Sequence, residues 1–227
     1  MKIGIIGAMQ IEVDALQAAM PDAVRETVSG ITFVSGTIHG HEVVASVCGI
    51  GKVFAALCAQ TMILKYNPDA IINIGVAGSV SKGLKVLDIA VADQVCQHDM
   101  DTSPLGDPVG LISGINQIYF PADTALVQIL SASAEKLGIH CIRGTVASGD
   151  QFIHTQEKKD WIRDTFGAVA AEMEGGSIGH VCTVNRVPFA VLRAISDGDG
   201  GTMDYNEFAP KAAMQSIDVI MEALKTL

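Results

Sequence analysis

Three carboxylates stand where carboxylates are not expected. Residues Ala168 to Asp197 read AVAAEMEGGSIGHVCTVNRVPFAVLRAISD, two apolar, β-rich runs around a small-residue helical segment. The first run exits at Glu174 and the second at Asp197, whereas apolar runs normally exit into turn residues. Far upstream, Glu12 follows a short apolar strand, Lys2–Ile6, that is turned by Gly7-Ala8. Taken alone, Glu12 is explained by the helix dipole, which favours acids in a first turn. Taken together, the acids suit glycosidic cleavage. There, one carboxyl of raised pKa protonates the leaving group and another, ionised, activates water at the anomeric carbon.

Other chemistries find less support. No GxSxG occurs, and no histidine adjoins a candidate serine, so a serine-hydrolase triad is not indicated. His98-Asp99-Met100-Asp101 is the one cluster with metal-ligand residue types, and at a strand-to-loop junction it fits local hydrogen bonding better. His39-Gly40-His41 sits at a hairpin tip without further ligands. Gly49-Ile50-Gly51-Lys52 fails the phosphate-loop pattern, because position 46 is Ser46 and Val53 stands where Ser or Thr is needed. It reads as a tight strand-to-helix turn, with Ile50 available to line a pocket. Gly75-Val76-Ala77-Gly78-Ser79 lacks the dinucleotide fingerprint. A net charge of −10 argues against a nucleic-acid partner. No run reaches the ~18 apolar residues of a membrane span, so no membrane partner is expected. The five cysteines are scattered, without a CxxC, as reduced core residues of a cytoplasmic protein would be.

The elements that must position these acids alternate along the chain. A helix is expected over Gln10–Met20, a hairpin over Ile31–Ile38 and Glu42–Val47, and a helix from Lys52 to Tyr66. Buried strands follow at Ala70–Ile74, Asp88–Cys96 and Cys141–Ser148. Between His98 and Phe120 the chain is irregular, with Pro104, Pro108 and three glycines, as functional or interfacial segments are. Helices are expected at Asp123–Leu137, from Thr155 to Phe166, and from about Asn206 to Leu227. The pattern is that of one α/β domain, 1–227, with a largely parallel sheet and some antiparallel pairing. If the strands run mostly parallel, the loops after them meet at one edge. They would build a cleft with an apolar floor of Met9, Ile50, Val76, Phe152 and Met173, beside the acids. Such walls suit a flat heterocycle or a thioether.

Five motifs in order carry a more specific likeness. Gly4-Ile5-Ile6-Gly7-Ala8-Met9-x-x-Glu12, Gly49-Ile50-Gly51-Lys52, Ser148-Gly149-Asp150, Glu172-Met173-Glu174 and Arg193-Ala194-Ile195-Ser196-Asp197 span nearly the whole chain. Together they resemble the bacterial 5′-methylthioadenosine/S-adenosylhomocysteine nucleosidases of the nucleoside phosphorylase-like superfamily. The resemblance implies a three-layer α/β/α fold, a twisted mixed sheet flanked by helices, in a cytosolic homodimer. It implies hydrolysis of the N9–C1′ bond of a small-molecule nucleoside, releasing adenine and a 5-thioribose, with no metal or organic cofactor. Asp197 would protonate adenine N7, Glu12 would activate water, and Glu174 would hold the ribose hydroxyls above Met173. Phe152 would stack on adenine and the Ile153 backbone would bond its edge. Arg193 would sit near the water and the acids. Val76, Ala77, Gly78, Glu172, Ser196 and Tyr205 would complete the substrate site, Val76 replacing a common serine and Tyr205 a usual phenylalanine. In the family the 98–114 segment reaches across the dimer to cover the 5′-thio tail; here it carries Thr102 and Leu105, with Ser113 where a proline is expected. A Gly-rich run, Gly198–Asp204, follows the acid, and Asp199 would raise the Asp197 pKa as a nearby like charge. A purine nucleoside phosphorylase, a futalosine-type hydrolase and a non-enzymatic nucleoside sensor are the alternatives on the same scaffold.

Overall fold

A computed structural model describes residues 1–198 and 202–227, without the side chains of 202–204. Asp199, and most of the Gly-rich run after Asp197, therefore lie outside the described residues. Ten strands form one mixed sheet: β1 (Lys2–Gly7), β2 (Val24–Val28), β3 (Ile31–Ile38), β4 (His41–Val47), β5 (Ala70–Ser79), β6 (Ile89–Gln97), β7 (Tyr119–Pro121), β8 (Cys141–Ser148), β9 (Ala168–Glu172) and β10 (Phe189–Asp197). Among the described residues six α-helices cover it: α1 (Asp14–Ala18), α2 (Lys52–Tyr66), α3 (Thr124–Lys136), α4 (Gln156–Phe166), α5 (Gly175–Asn185) and α6 (Thr202–Ala223). One apolar core joins α1, α3 and α6 to one face; another joins α2 and α5 to the opposite face. A smaller core seats α4 against β8 and β9. These are the three layers expected.

The sheet owes its shape to β5. Its first residues pair in parallel with β1, register ending at Ile6 opposite Asn73. Its last two, Gly78 and Ser79, pair antiparallel with Ala171 and Ala170 of β9. On its other edge β10 runs parallel to it throughout. Because β10 also pairs with β6, β6 with β8, and β8 with β9, these strands curl back onto β5. Between Asn73 and Gly78, on the β1 side, β5 has no strand partner.

Two sequence-based expectations change. The run Gly75–Ser79 continues the strand instead of leaving it as a loop. The helix expected over Gln10–Met20 is a 3-10 turn at Gln10–Glu12 followed by only five helical residues, Asp14–Ala18. The Glu12 carboxylate folds back onto the amides of Ala8 and Met9, and Val13 leaves helical geometry at φ −130°. A side chain that bonds the preceding backbone competes with helix propagation.

Candidate active site

The unpaired stretch of β5 is the floor of a cleft. β1, β5 and β10 run one way, and β8 and β9 the other. Their C-terminal ends nevertheless converge, because the antiparallel strands descend β5 only as far as Gly78. The expected meeting of loops therefore occurs through this opposed arrangement, not through a common strand direction. The cleft holds about 550 Å3 of empty space including its open mouth.

Glu12 enters this gap from the turn after β1. Its Oε2 accepts from Ala8 N–H at 2.7 Å and Met9 N–H at 2.9 Å, and its Oε1 accepts from Val76 N–H at 3.0 Å. Val76 has that amide to offer because β1 has ended. Burial pushes the Glu12 pKa up, against the pull of Arg193 and the three amides. Gly75 is required beneath it: a Cβ there would strike the Arg193 guanidinium and Glu12 Oε1.

Glu174 is the N-cap residue of α5. Its Oε1 accepts from Gly51 N–H at 2.9 Å, where α2 begins. Gly51 holds φ +98°, a conformation that favours glycine, so the turn after β4 can present its amide. Burial first, and then the neighbouring Glu172 charge, raise the Glu174 pKa to about 7, with Arg193 opposing. Asp150 caps the next α2 amide, Lys52 N–H, at 2.8 Å.

Asp197 ends β10. Its alignment with β5 steps by two residues, Ile195 opposite Ala77 and Asp197 opposite Gly78. That bulge turns consecutive side chains, Ser196 and Asp197, into the cleft. Asp197 Oδ1 accepts from Ser196 Oγ at 3.0 Å. A Cβ on Gly78 would lie 2.9 Å from Asp197 Oδ2.

Met9, Ile50, Val76, Ala77, Gly78, Phe152, Ile153, Glu172, Met173 and Tyr205, singled out from sequence, also line it, together with Ala8, Gln151 and Ala171, which were not. The Tyr205 ring meets Phe152 edge-on, centroids 5.4 Å apart, and its hydroxyl lies 3.5 Å from Met9 Sδ. Arg193 is a correction. It is fully buried beneath the floor and does not line the cleft. Its Nη1 donates to Ile74 O at 3.0 Å, and its Nη2 donates to Asn73 Oδ1 and Glu172 Oε2, with Glu174 Oε2 at 3.6 Å. Burial alone would lower its pKa, but Glu172, Glu174 and Glu12 hold it raised, so it stays a cation. Thr102 and Leu105 are not at this cleft. Thr102 bonds Asp107 and Leu105 is 84% exposed. Sequence reasoning missed Asn73, whose Nδ2 donates to Ile6 O at 2.8 Å and whose Oδ1 anchors Arg193. A lone amide inside the apolar run Ala70–Ile74 was the available signal. No cluster of three or more metal-ligand side chains occurs among the described residues.

A mixed sheet between helical layers, with buried acids in an apolar cleft, suits a protein that acts on a small molecule of mixed polarity. The phosphorylase superfamily profile matches residues 2–225. The 5′-methylthioadenosine/S-adenosylhomocysteine nucleosidase of Haemophilus influenzae (strain PittEE) is 40% identical over 230 residues, covering 100% of both chains. The structure of the enzyme of that name from Neisseria meningitidis, in complex with methylthio-immucillin-A, has TM-score 0.95 at 30% identity, covering 100% of this chain and 99% of that one. The native structure of a futalosine hydrolase of Helicobacter pylori has TM-score 0.95 at 35% identity, covering 100% and 98%. The chain belongs to the phosphorylase superfamily and, within it, to the family of 5′-methylthioadenosine/S-adenosylhomocysteine nucleosidases.

Proposed function

We propose that the protein hydrolyses the N-glycosidic bond of 5′-methylthioadenosine and S-adenosylhomocysteine, with 5′-deoxyadenosine as a further substrate, releasing adenine and the corresponding sugar. The observation that carries this reading is the placing of Glu12, Glu174 and Asp197 around one apolar cleft. Asp197 donates its proton to adenine N7, so that the base leaves neutral. Glu12, fixed by three backbone amides and made more basic by burial, takes a proton from the attacking water. Glu174 accepts from the ribose hydroxyls and stabilises the positive charge that develops at C1′. Met173 underlies the sugar, Phe152 stacks on the base, and the Ile153 backbone reads its edge.

Water is favoured over phosphate as the nucleophile. Among the described residues no lysine or arginine lines the cleft, and Arg193 is already engaged by Glu172. A phosphate dianion there would face carboxylates without a cation to hold it. The test is adenine release from methylthioadenosine with and without phosphate. A rate independent of phosphate is expected; phosphate-dependent formation of a ribose 1-phosphate would overturn the hydrolase reading. Release of hypoxanthine from futalosine at a comparable rate would broaden the substrate range without changing the chemistry.

The chain is read as one domain working in the cytoplasm as a homodimer. No helix among the described residues is long and apolar enough to cross a membrane. The dimer reading rests on an apolar face of α2 and α5, where Val53 is 79% exposed beside Phe54, Leu57, Leu64 and Val184. In light scattering, Val53→Glu should shift the mass towards the monomer.

A further inference from the structure

Two buried groups have no part in the mechanism above: the Ser148 hydroxyl and the Glu172 carboxylate. They end neighbouring strands, β8 and β9, as register partners. Ser148 Oγ donates to Glu172 Oε1 and accepts from Gly176 N–H at 2.5 Å. Glu172 Oε2 accepts from Glu174 N–H at 2.9 Å, from Gly175 N–H at 2.8 Å and from the Arg193 guanidinium. Three consecutive amides at the start of α5 thus end on this pair. Glycine makes the approach possible, since a Cβ on Gly176 would lie 2.5 Å from Cys96 O and 2.8 Å from Ser148 Oγ. Glu172 borders the cleft, yet both its oxygens are taken up by protein donors.

We propose that Ser148 and Glu172 are positioning residues of the hydrolysis, holding Arg193 and the Glu174–Gly176 main chain so that Glu174 meets the ribose hydroxyls from a fixed direction. The inference rests on the nucleosidase reading and deepens it. The reason is competition for one cation. Arg193 has two neutral acceptors, Ile74 O and Asn73 Oδ1, and two carboxylates within reach, Glu172 in direct contact and Glu174 at 3.6 Å. The Glu172 carboxylate satisfies the guanidinium, and Glu174 keeps an oxygen for the sugar. Without that charge the guanidinium turns to Glu174 and draws it from the substrate. The Glu174 and Gly175 amides are then left with a neutral acceptor in place of an anionic one.

The test compares Glu172→Gln and Ser148→Ala with wild type for adenine release from methylthioadenosine across pH, together with binding of free adenine. Glu172→Gln should lower kcat/KM by about tenfold to a hundredfold, the scale of a buried charge-assisted hydrogen bond. Its acidic limb should move to lower pH, because burial still raises the Glu174 pKa but the like charge that adds to it is gone. Ser148→Ala should cost about threefold to tenfold. Adenine should bind both variants as it binds wild type, since the base side is untouched. Should Glu172→Gln fail to fold, Ser148→Ala carries the same comparison with a smaller change. Wild-type rates in Ser148→Ala, an unmoved limb in Glu172→Gln, or a loss of adenine binding equal to the loss of rate would overturn the proposal. A wild-type protein that binds adenine but releases none from methylthioadenosine would overturn the nucleosidase reading itself.

Discussion

The two sides of the cleft are built on different principles. On the sugar side Glu12, Glu172, Glu174 and Arg193 are buried, and backbone amides from three separate turns and from β5 hold the carboxylates. On the base side Phe152 is 40% exposed, Tyr205 is half-buried, and the two rings touch only edge to face. The difference follows from what each side handles. Charges that stabilise a developing cation work best when oriented before the substrate arrives, since reorienting dipoles during reaction costs free energy. An aromatic wall needs no orientation field; the bound base supplies the burial that the ring lacks. Variants on the sugar side should therefore act on kcat, and variants on the base side on KM, apart from the acid itself.

The acids give the largest effects. Asp197→Asn and Glu12→Gln should each lower kcat by about 10²–10⁴-fold, the range of general acid–base participation. Glu12→Gln should also destabilise the fold, by about 1–3 kcal/mol. Both Glu12 oxygens accept backbone N–H groups, and glutamine would turn an NH2 towards one of them. Urea melts measure that cost; near-wild-type turnover in Asp197→Asn would mean that another group protonates the base.

Glu174 gives the next effect, and its sign can be stated. Its folded pKa, about 7, lies above the ordinary 4.5. Its protonated form is therefore the one that folding favours. The stability it contributes is complete below pH 4.5 and is lost as pH rises through about 7. Glu174→Gln removes that dependence. Relative to wild type it should gain about 3 kcal/mol between pH 4.5 and pH 8, at about 1.4 kcal/mol for each tenfold in proton affinity. Wild-type kcat/KM should show an acidic limb near pH 7, because only the ionised form accepts from both hydroxyls. A variant that melts in parallel with wild type at every pH would contradict the burial cost assigned here.

Smaller effects belong to the open side. Phe152→Ala should raise KM for methylthioadenosine by about threefold to tenfold, the worth of an aromatic stacking contact, with kcat nearly unchanged. A fall in kcat instead would erase the distinction between the two sides. Smallest of all, Leu105→Ala should change the melting midpoint by no more than about 0.5 kcal/mol allows, as a side chain 84% exposed contributes little to a core. If the 98–114 segment covers the thio tail across a dimer, the same variant should raise KM for methylthioadenosine while leaving free adenine binding unaltered.

Much of this was legible in the sequence, for reasons of residue type. Acids at the exits of apolar runs announced themselves because burying a carboxylate is costly and is tolerated only where partners or function compensate. The strand-to-helix turn at Gly49–Lys52 was readable because only glycine takes the conformations seen at Gly49 and Gly51 without strain. The alternation of strands and helices gave the layers, because the periods of side-chain direction differ between them. The tertiary structure decided the rest. Small residues at Gly75–Ser79 look like a loop in isolation, yet they continue β5, because Arg193, Glu12 and Asp197 must approach its backbone closely. That the five loops converge depends on two strands opposed to β5, and local sequence does not encode pairing partners so far apart. Of the charged residues near the cleft, Glu12, Glu172, Glu174 and Asp197 line it, while Arg193 is buried beneath and held by Glu172. Residue type made all five candidates; the burial and bonding that assign each its place arise only when distant strands are brought together.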